Sequence, residues 1–398
     1  MDYGLVRWLC LGLLTPALAA QPRPDLPPQF TAVVLPTGGD PETVKVADVN
    51  GDGRLDILAA NPESGSVTVL LGDGKGHFHA APGSPFSAGH LPNDIGVGDF
   101  DGDGHADLLI ANHQAPYVTL LLGDGRGGFR AAPHSPFTTR SVPHPHGVAV
   151  GRFCGNDQPL DAVIDSWGTH QVELLQGDGH GNLANGPMFP AGPGSDRPLR
   201  SADFNGDGIP DIVTPDTAIG HWDSDKVSVL LGDGKCGLHP APGSPFSGGA
   251  VPWSVAVGDL NGDGAPDLIV LSYAPQVRDP HAIAATVLLN DGRGAFHSAH
   301  GSPYPLPGCD KPLDVAIGNL VGKAPTDFVV TCMQSSTILL FLGDAHEGYR
   351  VFPLAVPTGK AHAPGERGVA LADLTGSGRS DIIVTNGSAG SITLLLRK

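Results

Sequence analysis

The chain has 398 residues, a formal net charge of −18, 57 glycines and 38 prolines. An acidic chain with no run of Lys and Arg excludes nucleic acid and anionic membrane as partners, because clustered cations hold both. Length alone allows two or three domains, and the Gly and Pro content suits turn-dense β structure, since branched apolar runs lie between the turns.

In chain order, residues 1–20 read as a secretory signal. Arg7 precedes the apolar run Trp8-Leu-Cys-Leu-Gly-Leu-Leu14, and Ala17-Leu-Ala19 supplies a small-x-small cleavage site. The expected location is therefore secreted, either extracellular or periplasmic, and no later segment is long and apolar enough for a membrane span. Residues 21–28 carry four prolines in eight and form a stiff linker. A short β-type run, Phe30-Thr-Ala-Val-Val34, follows. Then comes a unit with a recognisable order. Thr43-Val-Lys-Val-Ala47 is one strand, Asp48-Val-Asn50-Gly-Asp52-Gly-Arg54-Leu-Asp56 an acidic loop, Ile57-Leu-Ala-Ala60 a second strand, and Val67-Thr-Val-Leu-Leu71 a third. A Gly72-Asp-Gly-Lys-Gly76 turn and a fourth strand from Phe78 complete it.

The same order returns six times. Acidic loops, intact or decayed, start at 48, 99, 152, 203, 259, 319 and 373, between 51 and 60 residues apart. A period of that size marks a repeat architecture whose units supply each other's core. Four antiparallel strands per unit and seven units make an all-β seven-bladed β-propeller over residues 29–398, one domain. The last repeat provides only three strands, at 368–372, 382–385 and 392–396, so the run from Phe30 is expected to be its fourth, closing the ring and covering a bare sheet edge.

Each intact loop sets oxygen side chains at positions 1, 3, 5 and 9 around paired glycines, an alternation that wraps a hard cation from one side. Thirteen aspartates lie in the four intact copies, so four divalent ions would neutralise eight of the charges. Helices do not follow these loops and position twelve is Ala59 or Ile110, which separates them from an EF-hand; the number of side-chain oxygens favours Ca²⁺ over Mg²⁺. The blades at 152 and 319 have decayed, with Arg152 at position one of the first and Lys323 inside the second, and are read as metal-free.

The loop motif, together with Leu-Leu-Gly-Asp-Gly-x-Gly-x-Phe, resembles the FG-GAP/VCBS repeat family, whose blades also occur in the integrin α-subunit head. The resemblance spans about residues 30 to 398. It implies Ca²⁺ ligands Asp48, Asn50, Asp52 and Asp56, with the peptide carbonyl of Arg54 at position seven. Carried along the chain, it implies Asp99, Asp101, Asp103, His105 (carbonyl) and Asp107. It also implies Asp203, Asn205, Asp207, Ile209 (carbonyl) and Asp211, and Asp259, Asn261, Asp263, Ala265 (carbonyl) and Asp267. Asp373, Thr375, Ser377 and Asp381 offer a fifth, less charged site. The ion's expected role is to stiffen the turn joining two inner strands.

Other chemical signatures are thin. The Gly-Asp-Gly turn is followed by a strand and not a helix, so it is a hairpin turn whose aspartate bonds its own backbone, not a phosphate cradle. The Ser-Pro-Phe/Tyr segments after the fourth strands place an aromatic between blades. Four cysteines remain after the leader, an even number suited to an oxidising compartment. Cys309 and Cys332 fall at one end of blade six and are expected to bond. Cys154 and Cys236 fall in adjacent blades at the other end, and their pairing stays open.

Strand direction puts the acidic loops and Gly-Asp-Gly turns on one face and the remaining connections on the other. The first face is built of near-copies; the second varies, with long insertions at 216–225 and 272–281. One residue per blade, six before each loop start, is placed near the channel mouth: Glu42, Asn93, His146, Arg197, Trp253, Leu313 and Arg367. Two function classes follow. One is a secreted, calcium-stabilised, monomeric propeller that binds a protein or glycan through His146, Arg197, Trp222, Trp253, Tyr273, Arg278 and Arg367. The other is a polysaccharide lyase or hydrolase using His146, His221, Asp223 and His281, disfavoured because no close acid–base pair is legible.

Overall fold

The computed structural model describes residues 27–141, 144–191, 199–216, 224–274, 282–322, 326–333, 335–344, 348–358 and 368–398. Residues 1–20, read above as a secretory signal, and most of the 21–28 segment lie outside them. The described residues form seven antiparallel sheets, six of them meanders of four strands in chain order and the seventh completed by a strand from the start of the described chain. In blade one these are Thr43–Ala47, Asp56–Asn61, Ser66–Gly72 and Phe78–Ala80. First strands of neighbouring blades touch all the way round, so they are innermost and the blades close into a ring. The chain is a seven-bladed β-propeller. Two three-residue 3₁₀ turns, Trp167–Thr169 and Gly387–Ala389, are the only helical pieces among the described residues.

The second and third strands are buried on both faces because neighbouring blades cover them, which is why they read as continuous apolar runs. Fourth strands are shorter on average and half exposed. In four blades the fourth strand breaks and resumes, so the Ser-Pro-Phe/Tyr segments are part of it and do not simply follow it. Phe78–Ala80 pairs with Gly72 to Leu70, and Phe86–Ser87 pairs with Val67 and Ser66. Across the gap the Ser84 hydroxyl accepts the N–H of Val69 at 2.9 Å, and Ser135, Ser244 and Ser302 do the same for Leu120, Val229 and Val287. That keeps a donor on the third strand satisfied where the backbone partner has bulged away. The aromatic then packs edge-on against the outer strand of the next blade: Phe86 on Phe129 at 5.4 Å, Phe246 on Phe296 at 5.2 Å, Tyr304 on Tyr349 at 5.2 Å.

Blade seven is assembled from both ends of the described chain. Phe30–Pro36 runs antiparallel to Ser391–Arg397 in a seven-residue register, Phe30 opposite Arg397 and Pro36 opposite Ser391. The closing strand is two residues longer than the apolar run suggests, because Leu35 and Pro36 still have partners in Ile392 and Ser391.

Charged side chains on the inner strands tie the ring together across its channel. Asp94 has no exposed surface and meets Lys45 at 3.0 Å and Arg200 at 3.7 Å, while its Oδ2 accepts the N–H of Val148. One carboxylate thus joins blades one to four. Asp314 accepts from the Ser254 hydroxyl and the Val369 N–H, joining blades five to seven. Burial lowers the Lys45 pKa, and the Asp94 carboxylate opposes that shift.

Candidate metal centre

Each loop divides its work by position. Position one is the hub. In blade one, Asp48 Oδ1 accepts the Gly51 N–H at 2.8 Å and Oδ2 accepts the Gly53 N–H at 2.8 Å. Asp99, Asp203 and Asp259 repeat this pair of bonds to the glycines at positions four and six, and Asp373 accepts from Ser377 and Gly378. Position three chains to position five: Asn50 Oδ1 accepts the Asp52 N–H, as Asp101, Asn205 and Asn261 do for Asp103, Asp207 and Asp263. Position five accepts the N–H of position seven, from Arg54, His105, Ile209 and Ala265. The two loop glycines are there for backbone angle and not for space. Gly51 and Gly53 have φ of 71° and 80°, and a side chain on either would meet nothing within 4 Å.

Positions two and nine anchor this cradle to the core. Position two is buried in all seven blades: Val49, Phe100, Phe153, Phe204, Leu260, Leu320 and Leu374. The position-nine aspartate is buried beneath it and clamps two backbone N–H groups. Asp56 accepts from Val49 and Gly72, both close to 2.9 Å, so the loop start and the end of the third strand are held by one carboxylate. The clamp recurs at Asp107, Asp161, Asp211, Asp267, Asp327 and Asp381. It persists at Asp327, whose loop has lost the other acidic residues, and at Asp161, whose loop keeps only Asp157 beside it.

The donor set suits a hard divalent cation. Carboxylate oxygens of Asp99, Asp101 and Asp107 lie within 4.8 Å of one another. Burial, with Asp101 and Asp103 adding repulsion, pushes the Asp107 pKa up to about 6 although two N–H bonds oppose the shift. Asp211 is likewise raised to about 6, by burial and by Asp207 and Asp203. Crowded carboxylates that resist ionisation are relieved when a cation binds among them.

The decayed loop of blade three carries a covalent link instead. Cys154 stands at its position three and is bonded to Cys236 in the Gly-Asp-Gly turn of blade four. The pairing left open by sequence is therefore made, beside a backbone bond from Cys236 to Phe153. Cys309 bonds Cys332 on the other face, as expected. The aspartates of the Gly-Asp-Gly turns do bond their own backbone: Asp73 Oδ1 accepts from Lys75 and His77.

The sequence model described as FG-GAP-like repeat matches residues 48–110, 99–159 and 214–270, each span covering one of these loops with its flanking strands or the strands between two. The chain carries FG-GAP-like repeats. It is 29% identical to human integrin alpha-IIb over 166 residues, a match spanning 34% of this chain and 15% of the integrin. Among solved structures, BBS1N crystallised with ARL6DN has a TM-score of 0.59 at 12% identity, covering 94% of this chain and 98% of that one. A streptogramin B lyase has a TM-score of 0.56 at 12% identity, covering 93% and 98%. At such identities these two likenesses carry the fold alone.

The FG-GAP repeats leave the opposite face less uniform, and several residues read as surface there are inside. Trp253 is 7% exposed and packs edge-on against Tyr273 at 5.8 Å, and Leu313 is 5% exposed. His146 is 3% exposed, with Nδ1 3.2 Å from Asp165 Oδ2, and its carbonyl accepts from the Asn93 amide. Tyr273 is half-buried, with Lys311 over its ring at 5.8 Å. Arg197, Trp222, Arg278 and Arg367, with His221, Asp223 and His281, lie outside the described residues. Two groups escaped the sequence reading. The channel charges Lys45, Asp94, Arg200 and Asp314 were signalled by being charged where sister blades mostly have Gly, Ala or Pro at the same inner-strand position. The other is a histidine cluster at the junction of blades two and three.

Proposed function

We infer that this FG-GAP propeller is an exported, calcium-stabilised interaction module that takes a protein or glycan on the face opposite its calcium loops. One observation carries the reading: the loop face repeats the same bonds blade after blade, whereas the opposite face is made of unlike connections, where recognition in repeat proteins collects. Two disulfides and the partial likeness to an integrin support an extracellular setting. Among the described residues no helix is long and apolar enough to cross a membrane. BBS1N, a propeller of the same fold, was crystallised in complex with another protein.

Two measurements test this. With sites of ~0.1–1 mM affinity and ~2 mM ion, each filled loop adds about 0.7–1.8 kcal/mol by mass action. Melting curves in calcium and in EDTA should therefore separate by several degrees, and superimposed curves would remove calcium from the reading. Binding to glycan arrays and extracellular protein panels should be lost in Trp222→Ala with Arg278→Ala and kept in Lys75→Ala with Arg126→Ala. The reverse pattern would move recognition to the loop face.

A further inference from the structure

Three imidazoles meet where blade two hands over to blade three. His113 follows the second strand of blade two, and His144 and His146 lie in the connection into the first strand of blade three. Their rings are 4.3, 4.7 and 4.9 Å apart, centroid to centroid, and one ligating nitrogen from each lies within 4.8 Å of the others. His144 and His146 are buried, 8% and 3% exposed, and His113 is half-buried, so the cluster has a closed floor and one side toward solvent.

The surroundings hold this geometry in place. Asp165 accepts the backbone N–H groups of His146 and Gly147 at 2.8 and 2.6 Å through Oδ1, and its Oδ2 sits 3.2 Å from His146 Nδ1. A proton held on Nδ1 by a carboxylate leaves Nε2 as the ligating nitrogen and makes it more basic, the usual support for a metal-bound histidine. At this place in the second strand the other blades have Ala60, Ala111, Pro215, Leu271, Thr331 and Thr385. The carboxylate occurs only in the blade whose neighbour His146 can use it. The His113 N–H is donated to Leu91 O at 2.9 Å, which fixes its loop.

We propose that His113, His144 and His146 form a three-histidine site for a divalent transition metal of the Zn²⁺ class, with Asp165 orienting His146. Imidazole nitrogens suit Zn²⁺ and its neighbours, whereas Ca²⁺ takes oxygen ligands, so this site and the acidic loops select different ions from one solution. Metal–nitrogen bonds of about 2.0–2.1 Å in a tetrahedron place the nitrogens roughly 3.3 Å apart, so closure asks only for small side-chain adjustments. Three protein ligands leave a fourth position for water or a carboxylate from an incoming molecule. The site is nitrogen-based and lies on the face opposite the calcium loops, bridging two blades.

The test uses the mature chain, stripped of metal and refilled with millimolar Ca²⁺ so that the loops are saturated, then titrated with Zn²⁺ against a chromophoric chelator. One equivalent of Zn²⁺ is expected, weakened at least ~10-fold by His113→Gln and by His144→Gln. Asp165→Asn should weaken it by roughly 10–100-fold. His79→Ala and His297→Ala, at exposed histidines, should leave it unchanged. Cu²⁺ placed at the site should show nitrogen couplings by electron paramagnetic resonance. His113 is half-buried on a loop, so an unaltered melt in calcium verifies that His113→Gln is folded. Zn²⁺ binding by folded His113→Gln equal to that of the parent chain, or Cu²⁺ without nitrogen couplings, overturns the proposal. No protein or glycan ligand enters the assay, so its result is independent of the recognition reading.

Discussion

At the scale of single residues, aspartates one motif apart do different work. The position-nine carboxylates and their counterpart Asp161 hold backbone N–H groups in every blade, including the two whose loops have decayed. Asp327 accepts from Leu320, Val321 and Gly343, so Asp327→Ala strands three donors and should cost about 2–4 kcal/mol, equally in calcium and in EDTA. Asp263→Ala, at an exposed loop position, should instead shrink the gap between the two melts. A calcium-dependent loss at Asp327 would assign it to an ion. Asp216 gives the pH prediction. Burial pushes its pKa up to about 7 despite a bond from the Ser228 hydroxyl and the nearby Lys226. The folded chain keeps that proton to about pH 7, while the unfolded chain releases it near pH 4. Stability should therefore fall as pH rises across that window and level off above it, by on the order of 4 kcal/mol. In calcium-saturated samples Asp216→Asn should flatten the slope; an unchanged profile would mean the carboxyl is better solvated than its surroundings indicate. The alternating carboxylates were legible in sequence because their spacing is local. The clamp was not, since a buried acceptor and an ion ligand are both written as aspartate, and the histidine cluster was not, since His113 meets His144 only through the packing of two blades.

At the scale of elements, the closing strand and the cross-linked loop are the exposed joints. Deleting residues 21–36 removes the strand paired with Ser391–Arg397 and should yield a chain that melts earlier and aggregates through that bare edge. Deleting 21–28 should leave the melt near that of residues 21–398, and equal stability of the two truncations would deny Phe30–Pro36 its closing role. Blade three has no acidic cradle and is tied to blade four through Cys154 and Cys236. Replacing both by serine should cost roughly 2–4 kcal/mol, with the calcium-induced shift retained. Loss of that shift would couple the link to the acidic loops. Strand order and the closing strand were readable because each blade is a meander with the same turns. The break in the fourth strand was missed: Gly-Ser-Pro ends a strand by composition, and nothing local shows that Ser84 will satisfy Val69 while pairing resumes at Phe86.

At the scale of the whole molecule, seven units and their ring were legible from period alone, but what crosses the ring was not. Lys45, Asp94 and Arg200 come from three different repeats, and only closure brings them to one channel. The same holds for Trp253, whose variability among repeats suggested an open surface and whose place is inside. The clasp of blade seven has one more consequence. Arg397 donates to the carbonyl of Gln29, 368 residues away in sequence, and Lys398 bonds the same carbonyl. Every other blade is a local meander, so this single seam concentrates the long-range chain entropy of folding and should be the slow step. It also makes the ring's starting point arbitrary: with residues 29 and 398 in contact, a short linker between them and a new opening at an exposed hairpin such as Gly74–Lys75 gives a circular permutant with the same seven blades.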